Sequence, residues 1–196
     1  MANISIEQIK RLKELSGVGL TDAKQALVEA EGDFDKALEA MRKKGLTKAE
    51  KRGDRETREG IIESYIHDGR LGAIVEVNCE TSFVAKTDEF KDLAHKIAMQ
   101  IASMAPLYVS EEDIPTEIMD AKKAELEANF KGPEHMKDQI LGGQVKKAFS
   151  DKVLLNQPYI LDDSKTVAEF IKDNIAKTGE NITIRQFKRI ELGVTE

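Results

Sequence analysis

The sequence predicts an α+β chain: three short helices, then an antiparallel sheet covered by helices, with a helical excursion before the last strands. Three observations predict it. Apolar residues recur at helical spacing between caps and glycines in the N-terminal stretch; the pair Asp68-Gly69 divides two strand-like runs; and helical and strand periods alternate from there onward.

Ser5 and Gln8 make a capping box, and Ile6, Ile9 and Leu12 share a helical face until Gly17 offers the left-handed conformation that ends a helix. Thr21 is positioned to cap a second helix, whose Ala23, Ala26, Leu27 and Ala30 form a small-residue stripe ending at Gly32. Asp33 then caps a third, carrying Phe34, Ala37, Leu38 and Met41 and closed by Gly45. About 45 residues is close to the lower limit for a self-supporting fold, so tight packing along the small stripe is expected.

From Lys43 to Arg58 basic residues interleave with Glu50, Asp54 and Glu56, which reads as a solvated helical linker because opposite charges at i, i+4 suit an exposed helix. Gly60 to His67 and Arg70 to Asn78 flank Asp68-Gly69, a pair suited to a type I′ turn. A two-residue loop sets Ile66 opposite Leu71 and Ile62 opposite Val75. Along the second strand Leu71, Ala73, Val75, Val77 and Cys79 share a face, so Cys79 is most simply a buried small hydrophobe.

Thr87 or Asp88 caps a long helix with Phe90, Leu93, Ala94, Ile97, Ala98, Ile101 and Ala102 toward the sheet, stopping before Pro106. Ile114 to Phe149 reads as charged helical stretches broken at Gly132-Pro133 and Gly142-Gly143. Val153 to Ile160 reads as extended, with Pro158 confining it to an edge. A helix carrying Val167, Phe170, Ile171 and Ile175 runs from near Thr166 to near Gly179, and the last strand alternates Ile182, Ile184, Ile190 and Leu192 with polar neighbours. The implied division is a three-helix module at residues 1–50, a charged linker at 51–59 and an α+β core at 60–196.

Composition narrows the function classes. The 196 residues carry a net charge of −6 and 40% hydrophobic residues, which fits a globular protein and argues against a partner held mainly through phosphates. Another protein is the expected partner, rather than nucleic acid or a membrane. One cysteine forbids an internal disulfide and leaves a thiolate zinc site short of ligands. No signal peptide, presequence or bilayer-length apolar run is legible, so a bacterial cytoplasmic location is expected.

A search for enzyme chemistry finds little. His67, His95 and His135 belong to no metal-binding spacing, Gly142-Gly143 lacks the continuation of a phosphate loop, and Gly17-Val18-Gly19 lies between helices rather than after a strand. No metal, nucleotide or other cofactor is expected on the chain itself. The most informative stretch is instead Glu76 to Phe90, which places Phe83 where a strand gives way to a helix. A Phe there either folds over the local core or projects as an anchor for a pocket on another protein.

Three runs carry a family resemblance. Ser16-Gly17-Val18-Gly19-Leu20-Thr21-Asp22-Ala23-Lys24-Gln25-Ala26-Leu27, Asn78-Cys79-Glu80-Thr81-Ser82-Phe83-Val84-Ala85 and Glu180-Asn181-Ile182-Thr183-Ile184-Arg185-Gln186-Phe187 resemble, in order, the signatures of the elongation factor Ts family. The resemblance implies a guanine-nucleotide exchange factor for elongation factor Tu in translation, with no covalent chemistry of its own. It implies a ubiquitin-associated-like fold for the three-helix module, which docks on a helix of the partner's nucleotide domain through the turn Val18, Gly19, Leu20 and Thr21. The second contact falls to Thr81, Ser82, Phe83 and Val84, where the Phe reaches toward the partner's magnesium and phosphate site. Ser82 replaces the Asp usual in the family, so any carboxylate-driven disturbance of magnesium is reduced. Short members with a single core resemble homodimers, and Lys188 stands where some dimeric relatives have Cys, so no intersubunit disulfide is expected. A helical adaptor that binds without changing the partner's nucleotide state is the alternative; an enzyme is the residual one.

Overall fold

The computed structural model describes residues 4–16, 19–50, 52–130, 133 and 136–194, with residues 42 and 44–50 described by their helix alone. The chain divides into two compact units: residues 1–62, 77–93 and 169–184 form the first, and residues 63–76, 94–168 and 185–196 the second.

The first unit opens with α1 (Ile6–Ser16), α2 (Leu20–Glu29) and α3 (Phe34–Glu50). The Ser5–Gln8 capping box forms in both directions, at 2.9 and 3.1 Å. Asp33 accepts from the Lys36 N–H at 3.1 Å and caps α3 as expected. Leu12, Ala23, Ala26, Leu27, Ala37 and Met41 close into a core of their own. The alanines let the helices approach, which is how so short a stretch excludes water from Leu12 and Leu27.

Several local expectations need correction here. Gly19, not Thr21, is the N-cap of α2, and Thr21 sits inside the first turn. Ile6 is exposed rather than packed with Leu12. Gly45 does not close α3, which runs on to Glu50; one interior glycine costs about 1 kcal/mol, which flanking lysines, Leu46 and Ala49 with good helix propensity offset. Of the stretch from Lys43 to Arg58 read as a helical linker, the part up to Glu50 is helical as the end of α3, whereas residues 52–55 form turns and a bend and residues 56–58 take no regular structure. Gly17 and Val18 lie outside the described residues, as do Lys51, Gly132 and His135.

Strands β1 (Glu59–His67), β2 (Leu71–Cys79) and β5 (Ile182–Glu191) make an antiparallel sheet in the order β1-β2-β5; β3 (Pro158–Tyr159) and β4 (Asp162–Thr166) form a separate pair. At the hairpin both Asp68 and Gly69 have positive φ, 49° and 65°, the type I′ geometry, and the Arg70 N–H donates to the His67 carbonyl at 2.9 Å. The pairing expected across it does not hold. Three residues, not two, separate the strands, and the Arg70 carbonyl turns away to accept from Leu192 N–H at 2.8 Å. Ile66 stands 71% exposed and lies beside Gly72, while Ala73 and Val75 are buried. A one-residue slip moves every side chain to the other face, so Ile62 and Ile66 look outward. The inner side of β1 is Glu63 and Tyr65, with Tyr65 edge-on to His95.

The covering helix α5 (Asp88–Met104) is capped by Thr87, whose Oγ1 accepts from the Phe90 N–H at 3.3 Å. Its apolar face from Phe90 to Ala102 is buried as the spacing predicts. In the second unit α6 (Thr116–Ala128) and α7 (Lys137–Phe149) form the excursion. The expected break at Gly142-Gly143 is absent, because Leu141, Val145 and Phe149 on one face of α7 are buried and hold it as a helix. Val153 to Ile160 is also not one strand: Val153 makes a single parallel bridge to Tyr108, Leu154–Asn156 is a 3₁₀ turn, and Pro158–Tyr159 pairs with β4. In α8 (Val167–Thr178) the predicted bounds hold, and Gly179 ends it at φ 77°. Alternation in β5 loses its phase after Ile184: Arg185 and Gln186 are both exposed and both reach Glu76, so Ile190 and Leu192 face solvent rather than core.

Candidate functional site

The end of β2 feeds the site. Val75, Val77 and Cys79 are buried on the inner face, and the chain then turns at Glu80-Thr81 into α4 (Ser82–Ala85), a single helical turn. Thr81 is its N-cap in extended conformation, with Oγ1 accepting from the Val84 N–H at 3.4 Å. Successive residues on a helix point about 100° apart, so the second and third residues of a single turn do not share a face. Val84 and Ala85 are buried, and Phe83 is 79% exposed. The core alternative for Phe83 therefore falls: Val84 is the residue tucked inward, and its part is to hold the turn down. Ser82 and Thr81 are exposed beside the ring.

A singly exposed apolar residue is ordinary. What distinguishes Phe83 is the support under its turn. Gly179 brings the chain from α8 into β5 so that the Glu180 carboxylate meets the turn from below: Oε2 accepts from the N–H groups of Glu80 and Thr81 at 3.1 and 3.0 Å, and Oε1 from the Thr81 hydroxyl at 2.6 Å. The Glu80 carboxylate answers in the opposite direction, accepting from the Asn181 N–H at 2.6 Å. Arg55 lies 3.4 Å from Glu80, and the Asn181 side chain donates to the carbonyls of Gly53 and Arg55 at 3.1 and 2.8 Å. Thr57 and Thr183 hydroxyls meet at 2.8 Å. The charged segment after α3 is thus sewn to β5, not free in solvent.

Cys79 lies beneath this turn with its thiol donating to the Thr81 carbonyl at 3.3 Å. Burial, with the Glu180 charge adding to it, pushes the thiol up to about 11, so it stays protonated and inert at neutral pH.

The second predicted contact is the start of α2. Leu20 is 50% exposed, Gly19 and Thr21 are exposed, and Gly19 adopts φ −66°, ψ 154° with no side-chain cap. Among the described residues no group of His, Cys, Asp and Glu could hold a metal ion, and no helix is long and apolar enough to cross a membrane. His95 sits 3.6 Å from Glu63, and His67 bonds Tyr65 at 2.9 Å.

Sequence reasoning singled out Thr81, Ser82, Phe83 and Val84 but not the residues that brace their turn, Glu80, Glu180, Asn181 and Arg55. The carboxylates of Glu80 and Glu180 and the charge of Arg55 read as solvated surface. The only signal was that Glu180-Asn181 heads the third signature run, after a glycine fit to end a helix.

Comparison with known proteins agrees with the three runs. The family model described as elongation factor TS matches residues 8–193. Elongation factor Ts of Thermotoga neapolitana is 49% identical over 192 residues, covering 97% of this chain and 98% of that protein. Its counterpart in Syntrophomonas wolfei is 48% identical, covering 97% and 91%, and that of Moorella thermoacetica 45%, covering 97% and 96%.

Proposed function

The chain belongs to the elongation factor Ts family, and on that premise we propose that it is a guanine-nucleotide exchange factor for elongation factor Tu, acting in translation elongation in the cytoplasm. It makes and breaks no covalent bond, needs no cofactor, and engages neither nucleic acid nor membrane. The observation that carries this reading is the outward Phe83 on a braced turn.

The mechanism is linkage. A protein that binds nucleotide-free partner more tightly than the GDP form weakens GDP by the same factor, about 1.4 kcal/mol for each tenfold. Phe83 is the wedge: its ring has little to bury against in free solution and gains contact area when elements near the partner's magnesium and phosphate site have moved. Ser82 offers a hydroxyl and no charge, so displacement of magnesium rests on shape more than on repulsion. Val18, Gly19, Leu20 and Thr21 form the docking turn of the ubiquitin-associated-like module. Residues 1–50 act as that module, 51–59 as the connection and 60–196 as the core; the self-contained apolar cluster of α1, α2 and α3 supports the division.

The core pairs with a second copy. Ile66, Ile74 and Ile190 on the strands of one unit, and Leu192 just past β5, are exposed large aliphatics, more than scattered single residues explain. Light scattering should report a dimer that reductant does not change, and Ile190→Lys should make it a monomer.

Release of fluorescent GDP from purified elongation factor Tu tests the function. Substoichiometric protein should accelerate release over many turnovers; binding with an unchanged release rate would replace exchange by the adaptor reading.

A further inference from the structure

We infer that Glu180 is a positioning residue for exchange: its carboxylate holds the Thr81 turn in the geometry that projects Phe83. The inference rests on the exchange reading and adds a residue to it that touches no partner.

The argument starts from what a one-turn helix lacks. Isolated, α4 has too few internal hydrogen bonds to outweigh the cost of nucleating it, and an exposed Phe at its second position contributes nothing to the local core. Something else must fix the turn. The N–H groups of Glu80 and Thr81 precede the helix and have no partner within it, and both point at one oxygen, Glu180 Oε2. The same carboxylate accepts a hydrogen bond from the Thr81 hydroxyl on its other oxygen, at 2.6 Å. That choice frees the lone pairs of Thr81 Oγ1 to accept from Val84 N–H, so a single carboxylate both orients the cap and fills the orphan donors before it.

Glu180 is itself held. Gly179 takes the left-handed conformation that turns the chain out of α8, and the Glu180 N–H donates to Thr178 Oγ1 at 3.3 Å. On the far side, Glu80 accepts from Asn181 N–H, so residues 80 and 81 and residues 180 and 181 each supply an acceptor and a donor to the other pair. Such a reciprocal arrangement resists rotation about either strand end. A single bond would permit it. Charge-assisted bonds to backbone N–H are also shorter and stronger than neutral ones.

The test uses the full chain with Glu180→Ala and Glu180→Gln, reading steady-state GDP release from elongation factor Tu together with amide hydrogen exchange. Docking through the start of α2 does not involve Glu180, so Glu180→Ala should lower kcat about tenfold while KM stays within about twofold, the size expected for losing charge-assisted bonds. The amides of Glu80 and Thr81 should exchange faster, and Glu180→Gln, which keeps an acceptor, should recover part of both. Unchanged protection of those amides in Glu180→Ala overturns the inference, as does a fall in kcat that merely follows the thermal midpoint of both variants. If the wild-type protein releases no GDP the exchange reading fails, and the amide measurement still decides whether Glu180 holds the turn.

Discussion

Two exposed apolar residues, Phe83 and Leu20, each stand at the first turn of a helix, yet they are held in different ways. The turn of Phe83 has a Thr cap, a carboxylate beneath it and partners about 100 residues away in sequence. The turn of Leu20 follows Gly19, which offers no side chain to cap the helix and meets nothing within 4 Å of where a Cβ would sit. Rigid support lets a side chain transmit force to a partner; an uncapped start lets one settle into whatever groove it meets. On the proposed exchange reading, the difference suits one turn to pushing and the other to docking.

Phe83→Ala is the largest way to break this contrast. An exposed anchor truncated to Ala costs about 2 kcal/mol or more of interaction and leaves the fold nearly intact, whereas a core Phe costs about 3 to 5 kcal/mol of stability. At 79% exposure the core case is excluded, and the proposed anchor role predicts the first outcome. Catalysed GDP release should fall at least about thirtyfold with an unchanged thermal midpoint. A strongly lowered midpoint would return Phe83 to the core, and unchanged release from a stable variant would end the wedge mechanism. Leu20→Ala should do less and do it elsewhere: about 1 kcal/mol, appearing in KM with kcat preserved. A matching loss in kcat would erase the distinction between pushing and docking.

Cys79 sharpens the same contrast from beneath the Phe83 turn. With the thiol held near 11 against 9.0 for a free one, its ionised fraction at neutral pH falls about a hundredfold, and burial slows reagents further. Alkylation at pH 8 should be slow in the native protein and fast in denaturant. The sign of the linkage follows: the native state keeps the proton that the unfolded chain loses, so this contribution is complete below about pH 9 and is lost as pH rises through about 11. Rapid native alkylation would mean the turn opens, and with it the rigid support assigned to Phe83.

How much of this was legible in the sequence depends on how far apart the interacting residues lie. The Ser5–Gln8 box, the Asp33 cap, the type I′ pair and the bounds of α8 are local signals, and each is present. The strand-to-helix position of Phe83 was likewise local. Hairpin register was not, because one further residue in the connection reverses both faces, and the carbonyl that decides it answers to Leu192, just past β5 and more than 100 residues on. The helix through Gly142-Gly143 depends on burial of Leu141, Val145 and Phe149, which overrides a poor propensity. Arg55, Glu80, Glu180 and Asn181 carry charge patterns that any solvated surface shares; only folding brings them within bonding distance.

The smallest effect expected is also the most direct probe of the uncapped turn. Gly19 has φ −66° and ψ 154°, extended backbone that any residue adopts, so replacing it strains nothing. Gly19→Ser adds an oxygen able to accept from an N–H in the first turn of α2, as Thr81 does for α4. Ser in place of Gly at this position stabilises by a few tenths of a kcal/mol, about 0.3, partly by restricting the unfolded chain. The thermal midpoint should rise slightly while kcat for GDP release stays the same. If docking exploits the freedom of this turn, KM should rise although no contact has been removed; if KM falls instead, the turn binds as a preformed element, and Leu20 is held for its partner much as Phe83 is.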